Sequence, residues 1–335
     1  MDMLLTQRLP EYMQDFLQQL EAKGRLPSTI QRYAYDLEDL HEWLAKRCQI
    51  EALQDLVLFD SIQAERWLYN MQEERQYSNA TVKRLITVLN QLYRFLQVYH
   101  DPALINPIHT LDLTTVKHRQ LGLEDILSKK DRQQLYETLL SDKQLSDHQL
   151  KGRPYLRTRN YMIVRLFLHY GLTIGELTRL TIKDIHFEKN ELVLYPTHGS
   201  ASRTVSLLKE DRVELFSYLT DVPEPVRPRY YTNDPFFIAF DYQRLTFRWV
   251  YELDQPKALS DFAVQKMIRQ ESTRAGLPGR TAQHMRNTAI LSSIASNSSD
   301  TEEKLMENFG LRTTASARRY LRFYSAFEDS LGAHF

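Results

Sequence analysis

Residues 279–324 read GRTAQHMRNTAILSSIASNSSDTEEKLMENFGLRTTASARRYLRFY, and the fold turns on them. Arg286 falls early in an apolar-faced, helix-forming run, and Tyr320 follows 34 positions later among Arg318, Arg319 and Arg322. Arginine presents a permanently charged fork that matches two phosphate oxygens at once. A tyrosine hydroxyl is one of the few side-chain groups able to form a covalent intermediate. Each residue also has a plainer reading. Arg286 could be half of a structural ion pair, and in a chain with nineteen tyrosines Tyr320 could be a packed or surface aromatic. The three neighbouring arginines read equally as a solvated helix face or as a row of phosphate contacts.

Working back from this stretch, Leu259 to Ala275 carries a helical pattern, and four prolines between Val222 and Pro235 mark an irregular loop. ELVLYPTHGSASRTVSLL alternates apolar and polar residues on both sides of a His-Gly-Ser turn, which predicts a β-hairpin with His198 at its tip and Arg203 on its second strand. Arg157 to Tyr170 is apolar almost all round and reads as a buried helix closed by Gly171. Lys129 to Leu140 reads as a further helix. Between 101 and 126 helical periodicity fails, two prolines appear, and Lys117, His118 and Arg119 stand together, which predicts a linker. Residues 1–100 read as helix throughout. Apolar stripes run over Leu9–Leu20, over a helix opening at Pro27-Ser28 with Ser28 as its cap, over Ser61–Glu74, and onward from Ser78. Four such helices make a bundle. Lys23, Arg25, Arg32, Lys83 and Arg84 are read at its helix starts, where the helix dipole favours phosphate. Ordinary solvated charge explains them equally well.

Several of these phrases together resemble the tyrosine recombinase (phage integrase, Xer-like) family. The opening stretch is similar to the family's H-x-L-R-H…L-G-H…Y pattern. GLTIGELTRLTIKDI is similar to its G-L-R-x-x-E-L…D-I stretch through Glu176, Leu177, Asp184 and Ile185, and residues 101–126 resemble its N-P…L-x-L connection. PSTIQRYAYDLEDLHEWL and SNATVKRLITVLNQLYRFL look like the two most recognisable helices of its core-binding domain. The resemblance implies a mainly α fold with a small β-hairpin. A helical, SAM-like core-binding domain would span 1–100, a linker 101–126 and a catalytic-type domain 127–335, the two halves forming a C-shaped clamp on double-stranded DNA.

The resemblance also implies a chemistry. Family members attack a phosphodiester with the tyrosine, hold the non-bridging oxygens with two arginines, and use histidines and a lysine to move protons. Arg286 and Tyr320 stand at two of these positions. The first arginine's place is taken by Thr173, the lysine's by His198, and the two histidines' by Gln283 and Leu311. A neutral, short side chain cannot replace a guanidinium, and each preorganised donor removed costs about 2.7–4 kcal/mol of transition-state stabilisation. The expectation is therefore a sequence-specific DNA-binding protein that has lost strand cleavage and serves as a regulator or repressor of a prophage or mobile element. An active but divergent recombinase, or an accessory factor of recombination, are the alternatives. His284 and Asn287 join Gln283 as hydrogen-bond donors to phosphate, beside Arg286, and His198 and Arg203 reach DNA from the hairpin in the same reading.

Composition limits the rest. At 335 residues the chain suits about two domains. A formal net charge of zero requires any basic surface to be local and its binding to be salt-sensitive. One cysteine, Cys48, excludes an intramolecular disulfide and fits a reducing cytoplasm. Ten histidines without metal-ligand spacing suggest neither metal nor cofactor. No signal peptide or membrane-length apolar run is apparent, so a cytoplasmic location is expected. The tail LRFYSAFEDSLGAHF has an apolar side that suits either a homo-oligomer through the C-terminal helix or packing on its own domain; a regulatory protein or peptide partner stays open.

Overall fold

The apolar spacing along the first hundred residues closes into helices in the computed structural model, which describes residues 8–113, 116, 120–195, 202–297 and 301–331. The chain divides into two units, Met1–Gln120 and Leu121–Phe335.

In the first unit, α1 (Glu11–Ala22) ends at Lys23, where Gly24 takes a left-handed φ of +74°. α2 (Pro27–Cys48) starts two residues earlier than Ser28 would allow as its cap. Leu26 is the N-cap and Pro27 fills the first helical position, where its missing N–H costs nothing. α3 (Ser61–Tyr69) is capped by Asp60, whose side chain accepts from the Gln63 amide, and it runs on as a single π-turn over Asn70–Glu74. α4 (Asn79–Tyr99) is capped by Ser78, which accepts from the Thr81 amide. Phe16, Leu37, Leu89 and Tyr93 meet in the core between these helices. Fully burying an aliphatic or aromatic side chain of this kind contributes roughly 1.5–3 kcal/mol.

The boundary between the two units falls within the segment 101–126, expected as a linker, whose apolar residues also bury. Leu104, Ile108 and Val116 bury in the first, and Leu121 and Ile126 in the second. Their apolar side chains gain more from burial than from an exposed connection.

The second unit is larger. α5 (Lys129–Leu140) has a capping box formed by Ser128 and Asp131. α6 (Asp147–Tyr170) begins ten residues before the expected Arg157, at a second capping box of Ser146 and Gln149, and accommodates Pro154 within its length. It is the central helix of the unit, with Met162, Ile163, Leu166 and Phe167 fully enclosed. Gly171 ends it and the short α7 (Ile174–Thr178) follows. An antiparallel sheet comes next, β1 (Ile185–His186), β2 (Glu191–Leu194) and β3 (Arg203–Ser206), with Leu194 opposite Arg203. After α8 (Lys209–Asp221) come two small ribbons absent from the sequence reading: β4 (Phe240–Asp241) with β5 (Thr246–Phe247), and β6 (Trp249–Val250) with β7 (Gln255–Pro256). α9 (Asp261–Arg274), α10 (Ala282–Ser296), α11 (Glu302–Phe309) and α12 (Thr314–Leu331) complete the unit. α12 carries a non-helical residue at Phe327. Its Phe323 and Leu331 bury in this unit's own core beside Ile290 and Leu305. No helix among the described residues is long and apolar enough to cross a membrane.

Candidate active site

The site assembles where the α6–α7 junction, β3, α10 and the ends of α11 and α12 meet. Gly171 stands at the centre with φ +58°. A Cβ there would lie 2.8 Å from the Phe309 ring, so only glycine fits both the backbone and the space. Its carbonyl is consequently turned towards two guanidinium groups.

Glu176 organises those two groups. Thr173 caps α7: its hydroxyl accepts from the Glu176 amide at 3.1 Å, while its own amide and hydroxyl donate to Glu176 Oε2 at 2.7 and 2.9 Å. This reciprocal capping box aims the carboxylate inward. Arg203 Nε donates to Glu176 Oε1 at 2.9 Å, and its other nitrogens reach the Asn308 carbonyl at 2.5 Å and the Gly171 carbonyl at 3.5 Å. Arg286 donates to the carbonyls of Gly171 and Phe309 and lies 3.8 Å from Glu176 Oε2. All three side chains are buried. Two cations thus share one carboxylate. Burial pushes the Glu176 pKa up, but the Arg203 hydrogen bond and charge, aided by the Thr173 amide and Arg286, hold it below its ordinary value. Burial lowers the Arg286 pKa, with Glu176 opposing.

α12 brings Tyr320 alongside α10. The hydroxyl is buried and donates to Asn287 Oδ1 at 2.8 Å. Gln283 Nε2, one turn earlier on α10, donates to the same oxygen at 2.8 Å, and Asn287 Nδ2 donates to the Asp125 carbonyl at 3.0 Å. Burial raises the Tyr320 pKa, with Arg286 and Arg319 acting against it. The phenol therefore holds its proton against a neutral amide, and an amide is no general base.

The sequence-derived set is thus divided by the structure. Arg286, Asn287, Gln283 and Tyr320 converge. His284 belongs to the start of α10 instead: its Nδ1 lies 2.7 Å from Thr281 Oγ1, and its Nε2 is 4.0 Å from Asp125 Oδ1. Leu311 is half-buried against the apolar side of α10–α12. Arg203, expected as a DNA contact, is enclosed, because its bonds to Glu176 and two carbonyls tie β3 to α7 and α11. Arg318 pairs with Glu302 at 2.8 Å, while Arg319 and Arg322 are exposed.

In the first unit Lys23 and Arg25 lie in the turn closing α1, not at a helix start, so the helix end near them is the negative one. Both are exposed, as is Arg32 in the second turn of α2. Arg84 instead makes a two-pronged bond to Asp36, 2.9 Å on each side, and Lys83 is half-buried. Lys117, Arg119 and His198 lie outside the described residues.

Sequence reasoning missed the carboxylate hub at Glu176 and the carbonyls of Asp125, Asn308 and Phe309. The first had a signal, since Thr173-Ile-Gly-Glu176 spells a capping box. Backbone carbonyls have none.

Residues 13–100 match the phage integrase N-terminal SAM-like domain. Across 96% of its length the chain is 26% identical to tyrosine recombinase XerC of Caldanaerobacter subterraneus subsp. tengcongensis, covering 85% of that protein. It is 23% identical to transposase A of transposon Tn554 from Staphylococcus aureus, over 64% of this chain and 63% of that one. The fold matches that of the XerH site-specific recombinase bound to palindromic difH substrate, with a TM-score of 0.65 at 19% identity over 94% of this chain and 84% of that chain. It also matches the Tn1549 transposon integrase in complex with a circular intermediate DNA, with a TM-score of 0.66 at 16% identity over 96% and 99% of the two chains. Residues 13–100 thus carry the likeness to a phage integrase N-terminal SAM-like domain, and over nearly its whole length the chain is similar to tyrosine recombinases in sequence and shares their fold.

Proposed function

We propose that this protein binds duplex DNA at specific sites within DNA recombination or integration, with its power to cut the strand reduced by several orders of magnitude. The observation that carries this reading is the Thr173–Glu176 capping box, at the position to which the resemblance assigns the family's first arginine. Charge building on a transferring phosphate would meet Arg286 and Arg203, guanidiniums already committed to Glu176 and to the carbonyls of Gly171, Asn308 and Phe309. Leu311 offers no proton, and Tyr320 faces an amide. Affinity for DNA survives such losses because it comes from many dispersed phosphate contacts, not from the cleavage pocket. A protein that occupies its sites without resolving them regulates what lies beside them, most simply as a repressor within a mobile element.

A second reading, an active divergent recombinase that cuts through a 3′-phosphotyrosyl link, is favoured by Tyr320 and Arg286 keeping company in one buried site and by the recombinase and transposase names of the relatives. A nicked suicide substrate, built on sites recovered genome-wide with the tagged protein, separates the two. Enrichment of short related sites with no covalent product supports binding without cutting. A protein–DNA adduct that disappears in Tyr320→Phe establishes the recombinase.

A further inference from the structure

Away from Tyr320, a cavity of about 680 Å³ lies among α6, the β4–β7 ribbons and the start of α9. That volume falls inside the roughly 300–1,000 Å³ range of small-molecule sites. Its described lining residues include Arg159, Arg248, Lys257 and Lys266 and no carboxylate. Asp241 partly neutralises Arg248 at 3.3 Å, and Asp261, in the first turn of α9, is engaged by the Thr178 hydroxyl at 2.7 Å.

Arg159 sets this cavity apart. It is only 4% exposed, yet its guanidinium meets neutral partners alone: Asn160 Oδ1 at 3.1 and 3.3 Å and the Ile238 carbonyl at 2.9 Å. A guanidinium has five N–H groups and these bonds use three, which leaves two. Burial pushes the Arg159 pKa down, and only the hydroxyls of Tyr218 and Tyr242 act against this. A buried cation with no carboxylate among its described partners is costly, and an anion entering the cavity would remove that cost. Ser260 caps the fourteen-residue α9 at the same cavity, which adds the positive end of a helix dipole. Phe240 and Tyr242 supply ring surface, and Phe262 is 72% exposed at the rim.

We infer that this cavity binds a small phosphorylated ligand of nucleotide size, its phosphate held by Arg159, Lys257 and Lys266 and its ring by the aromatic wall. Duplex DNA carries the same phosphate chemistry, and the experiment distinguishes the two sources. The full-length protein is titrated calorimetrically with adenosine monophosphate, adenosine, inorganic phosphate and a duplex oligonucleotide. The double variant Lys257→Gln/Lys266→Gln is tested alongside, because both lysines are exposed and their loss leaves the fold intact. The expected result is that the monophosphate binds about tenfold or more tighter than adenosine, and that the double variant loses about tenfold of this affinity with an unchanged unfolding temperature. Arg159→Met should abolish binding, and the rim variant keeps the test decisive if that protein fails to fold. Equal affinity for monophosphate and adenosine, or equal affinity in wild type and double variant, overturns the inference. So does a double variant that weakens only duplex binding, since the lysines would then belong to a DNA-facing surface.

Discussion

Tyr320 Oη donates to Asn287 Oδ1 at 2.8 Å, and Gln283 Nε2 donates to the same oxygen at 2.8 Å. The hydroxyl to which the resemblance assigns attack on a phosphodiester is thus held by an amide that is itself held by a second amide. Neither accepts a proton at neutral pH, and burial adds to the cost of ionising the phenol. The arrangement ties α12 to α10.

Replacing Tyr320 with phenylalanine keeps the ring in its packing and removes only that bond. A typical intramolecular hydrogen bond contributes about 0.5–1.5 kcal/mol, and Asn287 Oδ1 retains Gln283 as its donor. Urea unfolding of Tyr320→Phe should therefore show a loss of about 1 kcal/mol with DNA affinity unchanged. A loss several times larger would show that the hydroxyl supports more than this contact.

Glu176→Gln tests the carboxylate that two arginines share. Glutamine also completes a capping box, so the change removes charge and leaves the cap in place. Breaking a buried ion pair costs about 3–5 kcal/mol, and that is the loss expected at pH 7. The folded-state pKa of Glu176 lies below its ordinary 4.5, because its arginine partners outweigh burial. A depressed carboxylate contributes stability that is fully present above the unfolded value and lost as pH falls through the folded one. The gap between wild type and variant should then hold from pH 7 to about 5 and narrow progressively below pH 4.5. A gap of constant size down to pH 3 would refute the ion-pair account.

Gly171 and Gly24 share a left-handed backbone but not a neighbourhood. A Cβ on Gly24 meets open space, whereas one on Gly171 lies 2.8 Å from the Phe309 ring. Gly24→Ala should cost only the conformational term, about 1–2 kcal/mol. Gly171→Ala should add an overpacking cost of about 1–3 kcal/mol and disturb the carbonyl that Arg203 and Arg286 bind. Thermal unfolding of the pair measures the difference directly, and equal losses would deny the close approach.

Much of the helical framework was legible because a 3.6-residue period and a capping box are local. Lys129–Leu140 and its Ser128 cap are of this kind. The all-round apolar run predicts α6 only from Arg157, whereas the helix begins at Asp147 and accommodates Pro154. The same local grammar is present at Thr173-Ile-Gly-Glu176, whose spacing is that of a capping box. The juxtaposition of Arg286 and Tyr320 followed from the resemblance. What they touch did not, because Arg286 bonds to two backbone carbonyls and Asn287 to a third, and a carbonyl is present at every residue. Arg203 is the same lesson reversed. It looked like a free cation on a hairpin because its partner carboxylate lies 27 positions away in the sequence.

If the departures at Thr173, Gln283 and Leu311 limit cleavage, restoring the family's residue types should release it. Thr173→Arg alone sacrifices a helix cap worth about 1 kcal/mol and adds one guanidinium. The triple variant Thr173→Arg/Gln283→His/Leu311→His adds proton donors beside Tyr320. On a suicide substrate its covalent product should exceed wild type by about tenfold or more, the scale of one recovered transition-state donor. A triple variant that folds, binds the same sites and forms no more adduct than wild type would place the block elsewhere.

The cations of the first unit separate by their partners. Lys23 and Arg32 are exposed, while Arg84 is bound on two sides by Asp36. Arg84→Ala should therefore lower stability by about 1.5–3 kcal/mol, the range for hydrogen bonds to charged groups, because it strands a buried carboxylate. Lys23→Ala and Arg32→Ala should leave unfolding within about 0.5 kcal/mol of wild type. If these two meet phosphates, each should reduce the slope of log affinity against log salt by about 1 and weaken binding to all sequences alike. Fluorescence anisotropy on a duplex target between low and moderate salt reads that slope. An unchanged slope in both variants would remove these residues from the DNA surface, and a reduced slope in Arg84→Ala with full stability would mean that the Asp36 pair opens to take a phosphate.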